Sequence, residues 1–146
     1  MMSDPSFFLE PIRDLDAVRA LRPEKGRLFS ATQEEIRAGE TADVYFVKTR
    51  MLLRHLGLAG AHVAAEIFTS GSGVLAGVDE CLQLLAPVPQ IEVAALPEGS
   101  LVTERQVVMR IQGVYDRFGI YETALLGILA SSSGWATAAR QVREAA

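Results

Sequence analysis

Between Tyr121 and Ala130 the chain reads YETALLGILA, and nearly every position is apolar. A run like this gives no inner and outer side by periodicity, and a helix apolar all round has to be covered all round. Other elements must therefore come against it from several directions. What the rest of the chain offers is short helices and short strands. The expectation is an α+β fold in which a small β layer packs with helices. That is thin cover for such a helix, so a larger body is expected to complete it. Beyond Gly134 a second helical run is expected from Trp135 to Ala146, rich in alanine and carrying Arg140 and Arg143 near its end.

The β layer is expected between Ile91 and Gly113. Ile91 to Leu96 reads as a strand, and Pro97-Glu98-Gly99-Ser100 is a turn in which glycine supplies a backbone shape other residues resist. Leu101 and Val102 continue extended, and Val107 to Ile111 is a further strand closed by Gly113. Upstream, His62 to Thr69 fits a strand. GSGVLAG then reads as a flexible turn feeding an amphipathic helix from Leu75 to Leu85 that stops before Pro87. Thr32 with Glu35 three residues later is a capping box that opens a small helix ended by Gly39. Before it, Arg27 to Ala31 reads as a short extended piece. Residues 1–26 carry Pro5, Pro11, Pro23 and Gly26 around a short helical pattern from Asp14 to Leu21, and read as an extension.

Thr41 to Leu56, TADVYFVKTRMLLRHL, is the helix with the most to say about function. Thr41 can cap its first turn, Asp43 puts negative charge at the positive end of the dipole, and Gly57 is a stop. Val44, Val47, Met51 and Leu52 recur at helical spacing and are expected to seat one face on the core. That leaves Asp43 and Tyr45 side by side at the exposed mouth, suited to a polar planar ligand. The competing reading makes Tyr45 a half-buried packing residue and Asp43 a helix-start charge.

Composition excludes several classes. A chain of 146 residues, 49% hydrophobic and 22% charged, has the makeup of a soluble globular protein. Its net charge of -4, with basic residues scattered, argues against nucleic acid or an anionic membrane as partner. The start MMSDPSFFLEPIRDL lacks the pattern of a signal peptide, and Thr123 to Ala138 carries too many Ser and Thr residues to span a membrane. The lone cysteine, Cys81, sits in an apolar helical pattern as a core residue, which suits a reducing cytoplasm. His55 and His62 are isolated and make no metal site with it. Neither a dinucleotide or phosphate-loop fingerprint nor a hydrolase or metalloprotease motif is present.

Three stretches together resemble the N-terminal part of the nicotinate phosphoribosyltransferase family. They are RLFSATQEEIRAGETADVYFVKTRMLL from Arg27, IEVAALPEGSLVTERQVVMRIQGVY from Ile91, and FGIYETALLGILASSSGWATAARQVREAA from Phe118. The resemblance runs over about 120 of the 146 residues, in the family's order and spacing. It departs from the family's pattern at Trp135 and in the leader. It implies the N-terminal domain of a type II phosphoribosyltransferase, a small barrel-sandwich-like β layer packed with helices, with the α/β barrel of the full enzyme absent. The corresponding division is an extension over 1–26, the α+β domain over 27–130, and the start of a connection to the barrel over 131–146.

The activity implied is nicotinate plus phosphoribosyl pyrophosphate to nicotinate mononucleotide and pyrophosphate, in NAD salvage. Tyr45 would stack on the pyridine ring in a neighbouring subunit's active site, with Asp43 as its polar partner. No catalytic residue is expected in this chain and no cofactor bound by it. Mg²⁺ accompanies phosphoribosyl pyrophosphate in the full enzyme, with or without ATP. The isolated chain is expected to be inactive and to self-associate, as part of a homo-oligomer in the cytoplasm. The related quinolinate-using enzymes carry, in a similar helix, an arginine for their dicarboxylic substrate; the acid Glu122 here would repel it, which favours a monocarboxylate. Arg140 and Arg143 could meet a phosphate, although complementing a helix end toward solvent is the simpler role.

Two other readings stay open. One is a non-catalytic binding or dimerisation remnant of the same fold. The other is a lipoyl-type carrier, disfavoured because the hairpin tip at Pro97-Glu98-Gly99-Ser100 has no lysine.

Overall fold

The computed structural model describes residues 12–21 and 31–146. Residues 22–30, and with them most of the extended piece expected from Arg27, lie outside the described residues. Helices α1 (Leu15–Ala20), α2 (Gln33–Arg37) and α3 (Val44–His55) come first, followed by strands β1 (His62–Phe68) and β2 (Gly73–Val74). Helix α4 (Val78–Leu85) precedes β3 (Ile91–Ala95), β4 (Leu101–Val102) and β5 (Val107–Val114). A short helix α5 (Tyr115–Phe118) and a 3-10 turn (Gly119–Tyr121) lead into the long α6 (Glu122–Ala145).

The β layer has two parts. β5 lies between β1 and β3 in an antiparallel sheet, and β2 pairs with β4 in a separate two-stranded ladder. In the larger sheet Ala65, Ile111 and Val93 share a row that faces the core, whereas Glu66 and Arg110 share an outward row and form an ion pair across it. The register slips between Ile67 and Phe68, so Val108 and Met109, although consecutive, are both buried. β5 also runs on through Gly113, past the end expected at Ile111. The segment expected as a flexible turn supplies β2, and α4 starts only at Val78. Leu75 is buried in the link between them instead of opening the helix. The turn at Pro97 to Ser100 explains why α4 starts there: Glu98 accepts hydrogen bonds from the Gly77, Val78 and Asp79 amides at 2.7, 2.7 and 3.2 Å.

The core is built from Leu75, Val78, Cys81, Leu84 and Leu85 below, Met109 and Ile111 of β5, and Phe118, Ile120, Tyr121, Leu125 and Leu129 on the way into and along α6. Ile12, Leu15 and Val18 pack against it from the segment expected as an extension. Burial pushes the Cys81 thiol up to about 12, as suits a core cysteine.

α6 corrects one expectation. It continues without a break through Gly134, where two separate runs were expected. Side chains on one face tie it down: Ser133 Oγ accepts from the Ala76 amide at 3.0 Å, and Thr137 Oγ1 accepts from the Val74 amide at 2.9 Å. Those bonds, with good helix formers on either side, outweigh a cost of about 1 kcal/mol for an interior glycine. The close approach also fixes Gly73, where a Cβ would stand 2.4 Å from Thr137 Oγ1. As expected of thin cover, the helix is not enclosed all round by this chain: Leu125 and Leu129 are buried, while Leu126 is 44% exposed.

α3 corrects a second. Its N-cap is Asp43, not Thr41, and of the four apolar residues expected to face the core only Val47 does. Val44, Met51 and Leu52 are exposed, and the buried residues are Phe46, Val47 and Arg50. The cause is Asp116 on α5, a buried carboxylate that takes Arg50 Nε at 3.4 Å and the Arg54 guanidinium at 3.3 and 3.0 Å. Arg50 also donates to the Ile12 carbonyl at 2.8 Å, which ties the α1 segment to the domain. Desolvation lowers the Arg50 pKa, and Asp116 opposes that fall. A buried charge has to be paired, so the arginine face turns inward and the aliphatic face beside it turns out. The helix stop is as expected: Gly57, at φ +72°, donates to Arg54 O while Leu58 donates to Leu53 O.

Among the described residues, no helix is long and apolar enough to cross a membrane.

Candidate functional site at the mouth of helix α3

Asp43 and Tyr45 stand together at the N-terminal end of α3, and Tyr45 is 54% exposed. The Tyr45 ring is not part of the packed interior. It leans on Phe46, with ring centroids 4.1 Å apart at a 45° tilt, and Phe46 turns inward beneath it. Thr49 Oγ1 donates back to the Tyr45 carbonyl at 2.8 Å.

The start of α6 reaches the same corner. Thr123 Oγ1 accepts from the Asp43 amide and donates to Asp43 Oδ2, both at 3.2 Å. Partial desolvation, then the Asp43 and Glu122 carboxylates and a hydrogen bond with Asp43, hold the Tyr45 phenol above its ordinary range. Tyr115, at the start of α5, is raised by burial and then by Glu122 and Tyr45. Burial raises Glu122 itself. Five side chains from three parts of the chain thus share this corner: Thr123 in contact with Asp43, Tyr45 on the same helix mouth, and Tyr115 and Glu122 near enough to couple to Tyr45 through charge. Two aromatic rings and two carboxylates make a corner that can face a planar heterocycle, and none of these five side chains is a cation.

Sequence reasoning named Asp43 and Tyr45 for this corner, and singled out Glu122 only by contrast with an arginine of related enzymes. It missed Thr123 and Tyr115 as members of it. Tyr115 had a signal, since it closes the Gly-x-Tyr step of the second resembling stretch. Thr123 had none, because it touches Asp43 across 80 residues of chain.

The remaining candidates lie elsewhere. Arg140 pairs with Glu144 along the α6 surface at 2.6 Å, and Arg143 is exposed. His55 and His62 are exposed at the ends of α3 and β1. Among the described residues, no group of three or more His, Cys, Asp or Glu side chains could hold a metal ion. A groove of about 480 Å³ runs between α6 and the β2 region, with Phe68, Val102 and Leu129 in its lining. Among the described residues, its lining has no ionisable side chain to serve as acid or base.

Residues 43–133 match the family described as quinolinate phosphoribosyl transferase, N-terminal domain. The chain belongs to that family. The match begins at Asp43 and takes in all five residues of the corner. Among solved structures, the chain is similar to the nicotinate-nucleotide pyrophosphorylase from Pyrococcus furiosus, with 41% identity and a TM-score of 0.69. That likeness covers 77% of this chain and 30% of the other, so the chain spans less than a third of the length of its relative. The nicotinate-nucleotide pyrophosphorylase from Francisella tularensis is a more distant likeness, at 13% identity and a TM-score of 0.47 over 68% of this chain and 36% of that one, and no argument rests on it. The mixed helix and small-sheet fold is thus the N-terminal domain of a type II phosphoribosyltransferase, as the sequence led us to expect.

Proposed function

We propose that this chain is the N-terminal part of a phosphoribosyltransferase of NAD biosynthesis that uses nicotinate rather than quinolinate. The observation that carries this reading is the pairing of an open aromatic face, Tyr45, with the Glu122 carboxylate close enough to raise its phenol. A second carboxylate on the pyridine ring would meet like charge here, and like charges in contact disfavour binding. A monocarboxylate can turn its charged end away.

In this reading Tyr45 lies over the pyridine ring in a partner's cleft, and Asp43 fixes the angle of the phenol. Such stacking adds about 0.5 to 1.5 kcal/mol beyond area burial. The transfer joins the ring nitrogen to the sugar as pyrophosphate leaves, through an oxocarbenium-like state that needs positioning and charge stabilisation rather than a nucleophile. Mg²⁺ enters with phosphoribosyl pyrophosphate, and the basic groups come from a region outside this chain. The isolated chain therefore contributes one wall of a site and does not turn over substrate alone. Self-association accompanies this role, with the exposed α3 strip of Val44, Met51 and Leu52 as apolar surface available to it.

The test is a substrate comparison on the full-length protein that carries this chain, supplied with Mg²⁺ and phosphoribosyl pyrophosphate. Product is expected from nicotinate, and Glu122→Arg should bring quinolinate turnover up relative to nicotinate. A wild-type preference for quinolinate would overturn the reading.

A further inference from the structure

We propose that Thr123 is a positioning residue for the pyridine: its hydroxyl, bonded to both the amide and the carboxylate of Asp43, turns that carboxylate away from its own helix and toward Tyr45. The proposal deepens the functional reading above and rests on it.

An aspartate at an N-cap ordinarily accepts from the amides two or three residues on, which is worth about 1 kcal/mol. Asp14 does this at the start of α1, taking the Asp16 and Ala17 amides at 3.0 and 2.8 Å. Asp43 holds the same position on α3 and makes no such bond. Its amide and one carboxylate oxygen are instead held by a single hydroxyl from the first turn of α6. One hydroxyl can do both, since it accepts with a lone pair and donates its hydrogen.

The arrangement fixes both the position of the residue and the rotation of its side chain, two residues before Tyr45 at the same exposed helix mouth. The raised phenol is consistent with that placement. The two bonds also join the start of α3 to the start of α6, so the aromatic face and Glu122 keep a set relation. Without the Thr123 hydroxyl the carboxylate is free to swing onto the α3 amides, where it would stabilise the helix and leave Tyr45 unguided.

Three variants of the full-length protein test this. Thr123→Val keeps the branched shape and removes the hydroxyl. It should raise the KM for nicotinate about fivefold, the size of one net hydrogen bond, with a smaller change in kcat. The Tyr45 phenol, followed by ¹³C-labelled tyrosine NMR and assigned with Tyr45→Phe, should titrate at lower pH. Thr123→Ser should restore both. Should Thr123→Val fail to fold, Asp43→Asn removes the carboxylate charge that Thr123 holds in place and should shift the phenol and KM in the same directions. The proposal is overturned if Tyr45→Ala raises KM while Thr123→Val, or Asp43→Asn in its place, leaves KM and the phenol titration at wild-type values. If Tyr45→Ala itself leaves KM unchanged, the functional reading fails first and takes the proposal with it.

Discussion

The two halves of α3 both carry charge, and they treat it in opposite ways. Toward the C-terminal end Arg50 and Arg54 close on Asp116, with the Arg50 and Asp116 side chains 3% and 8% exposed. Three charges there sit largely out of water and have to satisfy one another. At the N-terminal end Asp43 and Tyr45 stand at the surface, where water would serve either of them. Charge in the first half is needed to keep the helix seated. The fold has no comparable need of the second half, and a polar-aromatic cluster that the fold does not need is a candidate for binding.

This contrast can be broken or sharpened by substitution. Asp116→Ala strands Arg50 in the interior and should cost about 3 to 5 kcal/mol in urea unfolding, enough to threaten the domain. Arg54→Ala leaves Arg50 and Asp116 paired and, with Arg54 a third exposed, should cost about 1 kcal/mol, discounted for solvent. At the other end Asp43→Ser should hold stability or raise it by about 0.5 kcal/mol, because a serine hydroxyl can cap the first turn of α3 as Asp43 does not. The same variant should weaken pyridine binding. A large stability loss in it would erase the difference between the two halves.

Glu122→Gln should have the smallest effect. Burial raises the Glu122 carboxyl, so the folded state holds its proton more tightly than the unfolded state does. Its contribution is fully present below the unfolded carboxyl range and is lost as pH rises through the raised folded value. Glutamine keeps the neutral form. The variant should therefore melt slightly above wild type at neutral pH, with the gap closing as the pH is lowered past the carboxyl range.

What the sequence made legible was mostly local. The capping box at Thr32 and Glu35 is formed, with the Thr32 amide donating to Glu35 at 2.7 Å, because both partners lie within one turn. The Gly57 stop and the Gly99 turn at Pro97 to Ser100 are likewise short-range backbone geometry. The facing of α3 was misread because Asp116, which sets it, lies 66 residues from Arg50. Apolar spacing alone pointed to the aliphatic stripe next door. Gly134 was read as a break because the bonds that hold α6 beside it go to backbone at Val74 and Ala76. At the site, Asp43 and Tyr45 were legible as a pair on one helix. That Tyr115 and Thr123 join them follows from the path of β5 and α5, which bring the start of α6 to the mouth of α3. No spacing in the sequence encodes that.

The central claim is that the Tyr45 ring serves a ligand and not the fold. Its most direct test is Tyr45→Ala in the full-length protein, with the melting temperature and the KM for nicotinate measured on the same preparation. The account predicts a melting temperature at the wild-type value and a KM raised about tenfold, as loss of ring stacking with its buried area implies. A melting temperature several degrees lower with KM unchanged would contradict it.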